Sequence, residues 1–289
     1  MSKGTSVENS VKVLSVFLRG NSAYLIWFLF YVILFSVLTN GIAIFFYLVT
    51  IPLALSPLAE RLWRMVSGVR PLRLKSEKER LLPLFKEVYD GAVKINPQLS
   101  KRIHLYIKED MTINAFAFGK STLVLTRGSI MLLSDECLKG LIAHEFGHFS
   151  YKHTEATLLS MVGNLPMSFI IRKLTDIKNR LNMSENKGSI FTGIFTFFID
   201  LNYYISKTIA FVGDLLLMYT SRQHEYRADG FAYRSGFGKE LTDVLIEIYE
   251  VSISKPQSVK EQLRSSHPHI TLRIEQLERV IHKKKTGKR

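Results

Sequence analysis

The chain has 289 residues, 47% of them hydrophobic, and its 39 Lys and Arg outnumber 25 Asp and Glu for a net charge of +14. That length suits one domain plus membrane segments and is short for two large independent domains. The single Cys137 excludes an intrachain disulfide framework and fits a reducing compartment. No fingerprint interleaves the charges with aromatic residues, so the basicity points to a lipid surface and away from nucleic acid.

Between Arg19 and Glu60 there is no Asp, Glu, Lys or Arg. As one helix this stretch would measure about 60 Å at 1.5 Å per residue, twice the ~30 Å hydrocarbon thickness of a bilayer. Asn40-Gly41 in its middle is a turn signal. The expectation is therefore a transmembrane helical hairpin within residues 1–60, with arms near 22–39 and 42–58; a single tilted span is the alternative. Lys3, Lys12 and Arg19 precede the run and Arg61, Arg64, Arg70, Arg73 and Lys75 follow it, which places both ends in the cytoplasm. The run is too long for the core of a signal peptide, and no small-residue cleavage pattern closes it.

Residues 61–289 read as a water-exposed domain of α+β class, mostly helical. From Ser76 to about Val93, Leu81, Leu82, Leu84, Phe85 and Val88 recur at helical spacing until Asn96-Pro97 ends the pattern. Ile103, Leu105 and Ile107 then alternate with His104, Tyr106 and Lys108; a second alternating run spans Ile113 to Phe118, and Ser121 to Thr126 follows the Gly119-Lys120 turn. Three strands of a small sheet are indicated. Ser134 is placed to cap the next helix, with Asp135 and Glu136 in its first turn, where they complement the helix dipole.

Two later stretches, near 156–172 and 189–220, are apolar enough to be membrane-associated helices. In the second, Asp200, Lys207 and Asp214 are spaced by seven and form one stripe, as they also would on a long soluble helix with one solvated face. The basic 172–187 connection weighs against a second hairpin. The tail from Lys283 to Arg289 reads as a solvated or lipid-facing end.

The chemistry-bearing sequence is His144-Glu145-Phe146-Gly147-His148. On a helix, histidines four residues apart project from one face and can share a tetrahedral zinc. Glu145 is turned aside, free to take a proton from the attacking water in a hydrolysis. A catalytic zinc needs a third protein ligand. Glu225 is the first candidate, because Asp229 one turn later can accept the second ring N–H of a liganding histidine. His224 is the rival.

On these residues the chain resembles the HtpX-like membrane metallopeptidases, relatives of the CAAX prenyl endopeptidases and of mitochondrial stress metalloproteases. The resemblance rests on Asn114-Ala115-Phe116-Ala117, the His144–His148 motif, Arg222 to Asp229, and Ser266-His267-Pro268 ahead of a final helix with Arg273. These features span roughly residues 75–282 in the family's order, behind a hydrophobic hairpin. The resemblance implies a zincin-type (gluzincin) catalytic domain with one Zn2+ per chain on His144, His148 and Glu225. It also implies that residues 114–117 form the edge strand holding substrate backbone, and that His267 donates to the oxyanion formed in peptide hydrolysis. The implied partners are a lipid bilayer and a polypeptide substrate. The implied role is quality control of damaged or misfolded membrane proteins by a multi-pass protein of the cell membrane whose catalytic domain faces the cytoplasm. A dedicated peptide-processing protease and a catalytically silent membrane receptor or assembly factor are the alternatives; Glu145 argues against the last, since a structural metal site has no use for a base.

Overall fold

A computed structural model of the chain describes residues 6–183, 190–253 and 269–285. Helix α1 (Ser6–Leu38) leaves helical geometry at Asn21 (φ −119°), whose side-chain amide donates to the Tyr151 carbonyl at 3.0 Å. Asn40 and Gly41 take positive φ (49° and 88°) and reverse the chain into α2 (Ile42–Ala54). The second arm stops earlier than the expected residue 58. Ser56 accepts the Ala59 N–H at 3.2 Å, Pro57 stands in the first turn, and α3 (Pro57–Val66) leaves α2 at a 72° bend. A Ser-Pro pair is an N-cap followed by the residue best suited to a first helical position, so it begins a new helix and does not prolong the old one.

Among the described residues, the helix long and apolar enough to cross a membrane is Gly20–Leu38, joined by α2 and α3 if that bent pair counts as one span. The stretches near 156–172 and 189–220 lie inside two long helices, α7 (His153–Met183) and α8 (Ile190–Arg234), neither of which meets that test.

Four strands form a mixed sheet in the order β1-β2-β4-β3. They are β1 (Val69–Pro71), β2 (His104–Lys108), β3 (Ala115–Phe118) and β4 (Thr122–Thr126). β1 was not legible because three residues ending in proline show no alternation; proline is tolerated there because β1 is an edge strand. β4 is central and fully buried, parallel to β2 and antiparallel to β3, which leaves β3 on the other edge.

Helices α4 (Lys75–Ile95), α5 (Arg127–Leu132), α6 (Asp135–Ser150), α9 (Gly238–Ile253) and α10 (Ile270–Lys285) complete the fold. The Ser134 hydroxyl accepts the Cys137 N–H at 3.2 Å and starts α6 at the expected place. Phe146 of α6 is fully buried against Phe85 and Tyr89 of α4. Burial of such a ring stabilises by about 1.5–3 kcal/mol. On its other side α6 runs so close to α8 that a Cβ on Gly147 would meet the Ala228 Cα at 2.7 Å. That approach brings the histidines of α6 within reach of α8.

Two apolar cores result. One lies among α4, the sheet, α6, α9, α10 and the end of α8; the other joins α1, α2, α7 and the middle of α8 through Trp27, Phe28, Tyr31, Phe35 and Tyr47.

Candidate metal centre

One turn of α6 separates His144 from His148, and their Nε2 atoms converge to 3.1 Å. From α8, the Glu225 carboxylate stands with Oε2 3.4 Å from His144 Nε2 and Oε1 3.6 Å from His148 Nε2. A tetrahedral ion with bonds of about 2.0–2.1 Å spaces its donors by roughly 3.3 Å. These three side chains therefore fit one ion, and their donor atoms all lie within 4.8 Å of one another.

The outer contacts fix which ring nitrogen faces the cluster. His144 donates from Nδ1 to Asp229 Oδ1 at 2.8 Å, which leaves the Nε2 lone pair pointing inward. His148 places Nδ1 3.1 Å from Nδ1 of His153, at the start of α7, and turns Nε2 toward His144 and Glu225. Arg273 of α10 grips Asp229 with two hydrogen bonds of 2.6 and 2.8 Å and sets a third nitrogen 3.1 Å from Glu225 Oε2. His144, Glu145, Glu225, Asp229 and Arg273 are all buried.

Charge favours a dication here. Three carboxylates (Glu145, Glu225 and Asp229) face one guanidinium, Arg273, and buried charge of one sign is costly unless it is compensated. The same excess holds a proton on His144 without an ion: burial and Arg273 oppose it, but Asp229 and Glu225 outweigh them and raise its pKa to about 10. His148 is held down to about 3, by burial first and by the His144 charge second. An entering cation thus competes with one proton.

Glu145 lies beside the cluster without facing it as a ligand. Burial, assisted by Glu225, pushes its carboxyl up to about 7, against His144 and a hydrogen bond with the Ala117 backbone. A carboxylate titrating near neutrality suits a general base. That Ala117 contact also brings edge strand β3 alongside the base. Ala115 is buried; Phe116, Ala117 and Phe118 are partly so. Asn114 precedes the strand with its side chain exposed, and its backbone N–H reaches the Thr126 and Ser129 hydroxyls at 3.0 and 2.7 Å.

His224, the rival ligand, faces the other way. Its Nε2 lies 3.0 Å from the Gly20 carbonyl, and its ring stacks on His153 at 3.7 Å. His267 lies outside the described residues.

Two partners of the cluster escaped the sequence reading as contributors to the site. Arg273 carried a signal, since it interrupts the apolar stripe Ile270, Ile274 and Leu277 on the last helix, where a charge needs a buried counter-ion. His153 carried none: the chain turns at Lys152 (φ 61°) between α6 and α7, so helical spacing does not relate it to His148.

The sequence model of peptidase family M48 matches residues 84–281. A protease HtpX homolog of Dictyoglomus turgidum is 28% identical over 200 residues, covering 60% of this chain and 62% of that protein. A CAAX prenyl protease 1 homolog of Dictyostelium discoideum is 24% identical over 181 residues, covering 60% and 41%. The crystal structure of Ste24p from S. mikatae shares the fold with a TM-score of 0.53 at 20% identity, over 94% of this chain and 65% of that one. The chain thus spans less than two thirds of the length of each of these three relatives. The matched segment contains every member of the buried cluster from His144 to Arg273, and the chain belongs to peptidase family M48.

Proposed function

We propose that this chain is a membrane-embedded, zinc-dependent endopeptidase of gluzincin type, acting on damaged or misfolded membrane proteins. The observation that carries the reading is the convergence of His144, His148 and Glu225 donors beside the buried Glu145 carboxyl. Two imidazoles and one carboxylate are a donor set suited to zinc with a position left open. When bound, zinc supplies Lewis-acid chemistry, polarising a carbonyl and making water nucleophilic near neutral pH.

The chain's own residues do the rest. Glu145 takes the proton of the attacking water and delivers it to the leaving amine. Strand β3, residues 115–118 on an open sheet edge, pairs with an extended substrate backbone and delivers it to Glu145 through Ala117. Asp229 and Arg273 hold His144 and Glu225 in position. His267, ahead of Pro268, donates to the oxyanion. Residues 1–60 anchor the protein in the cell membrane and residues 61–289 form the peptidase domain, on the cytoplasmic side by the basic flanks of the hairpin.

The test is cleavage of an unfolded membrane protein by the purified chain in lipid vesicles. Cleavage should stop with a chelator and return with zinc. A fully zinc-loaded chain that cuts neither this substrate nor a short peptide would contradict the reading and favour a silent receptor.

A further inference from the structure

Helix α3 has two faces of opposite character. Its inner face, Glu60, Trp63 and Arg64, is bolted to the turn between β3 and β4. Glu60 accepts hydrogen bonds from the Lys120 backbone N–H and from the Ser121 and Thr122 hydroxyls, the latter two at 2.6 and 3.1 Å. Gly119 (φ 60°) makes room, because a Cβ there would overlap the Glu60 carboxylate. Trp63 stacks on Phe118 at 3.9 Å and meets Phe116 edge-on, while Arg64 donates to Thr122 at 2.7 Å.

The outer face is apolar and, among the described residues, without protein cover. Leu58, Leu62, Met65 and Val66, at spacings of four, three and one, are between 51% and 89% exposed, with exposed Arg61 at their rim. A contiguous patch of this kind marks an interaction surface. Its place in the chain selects the occupant. Only Leu55 and Ser56 separate α3 from α2, whose outer face (Phe45, Leu48, Val49) is equally bare. Thirteen residues of α2 rise about 20 Å, which leaves roughly 10 Å of a ~30 Å hydrocarbon layer. The 72° bend therefore falls at the depth where in-plane amphipathic helices ride, about 5–10 Å into the headgroup boundary.

We propose that α3 lies in the surface of the bilayer and fixes edge strand β3 there, so that the strand captures polypeptide segments as they leave the membrane. This rests on the membrane reading of the hairpin. Nitroxide labels on Leu62→Cys, Met65→Cys, Phe45→Cys and Lys78→Cys, each with Cys137→Ser, would be read in vesicles by collision with oxygen and with a water-soluble nickel chelate. The Phe45 label should meet oxygen alone and the Lys78 label the chelate. The Leu62 and Met65 labels should meet oxygen in preference to chelate, at headgroup depth. Labels at 62 and 65 as open to chelate as that at 78, with 45 still protected, would overturn the proposal and leave the hairpin reading intact. Labels at 62 and 65 closed to both reagents would mean a protein contact and would also overturn it. A label at 45 open to chelate would defeat the hairpin reading and this one together. In function, Leu62→Glu with Met65→Glu should lower kcat/KM at least tenfold on a bilayer-anchored peptide and leave the same peptide in solution cut at the parental rate; equal loss on both would contradict the proposal.

Discussion

Around α6, apolar side chains turn inward and the ionisable groups among them are paired. Leu81, Ile107, Leu125 and Phe146 are fully buried, and Asp229, Glu225 and Arg273 hold one another within the same core. Around the hairpin the pattern inverts. Tyr31, Phe35 and Tyr47 face inward, whereas Ile26, Ile33, Val37, Phe45 and Val49 are 63–71% exposed. In water each Å² of such surface costs about 25 cal/mol; in lipid it costs nothing, and helices there associate by close packing. Gly163 against Phe28 and Gly213 against Trp27 supply that packing. On the proposed membrane reading, one chain carries two cores suited to two solvents, and the candidate metal cluster sits in the one suited to water.

If the polar cluster is a metal site closed within an apolar core, Glu225→Ala should abolish both metal binding and hydrolysis, whereas His224→Ala should keep one zinc per chain. Metal analysis of the two purified variants checks this, and retention in the first with loss in the second would exchange their roles. Next in size is Arg273→Met, which strands Asp229 and Glu225 without their guanidinium. Removing one partner of a buried ionic network costs about 3–5 kcal/mol, to be read from denaturation of the metal-free protein. Asp229→Ala removes only the acceptor that orients His144, and competition with a zinc chelator should show a 10–100-fold weaker affinity. The smallest effect belongs to the other core: Val49→Ala, on the exposed side of α2, should change stability in vesicles by no more than about 0.5 kcal/mol if that side faces lipid. A loss of several kcal/mol there would mean that α2 is packed against protein.

Legibility followed the range of the interactions. The motif helix could be read because Ser134, the acidic first turn and the His144–His148 spacing are local. The strands β2 and β3 showed in their alternation, and β4 in the run that follows the Gly119-Lys120 turn. The break between α2 and α3 was also written locally, in Ser56-Pro57, but the unbroken apolar run concealed it. Glu225 is preferred to His224 already on its spacing to Asp229; what leaves no trace in spacing is the approach of Gly147 to Ala228, which joins residues far apart in the chain and brings α8 to the histidines. Arg273 required knowing what its apolar stripe faces, and His153 depended on the turn at Lys152. The long helices α7 and α8 announced themselves as apolar segments, yet the partners that decide their burial lie on α1 and α6.

The central claim is that Glu145 is the base of a metal-dependent hydrolysis at the His144, His148 and Glu225 site. It is tested most directly by single-turnover cleavage with zinc-loaded Glu145→Gln, the metal content being measured on the same sample. One zinc per chain with a rate at least 10²–10⁴-fold below the parental one is the predicted result. A fully loaded variant that cuts at the parental rate would contradict it.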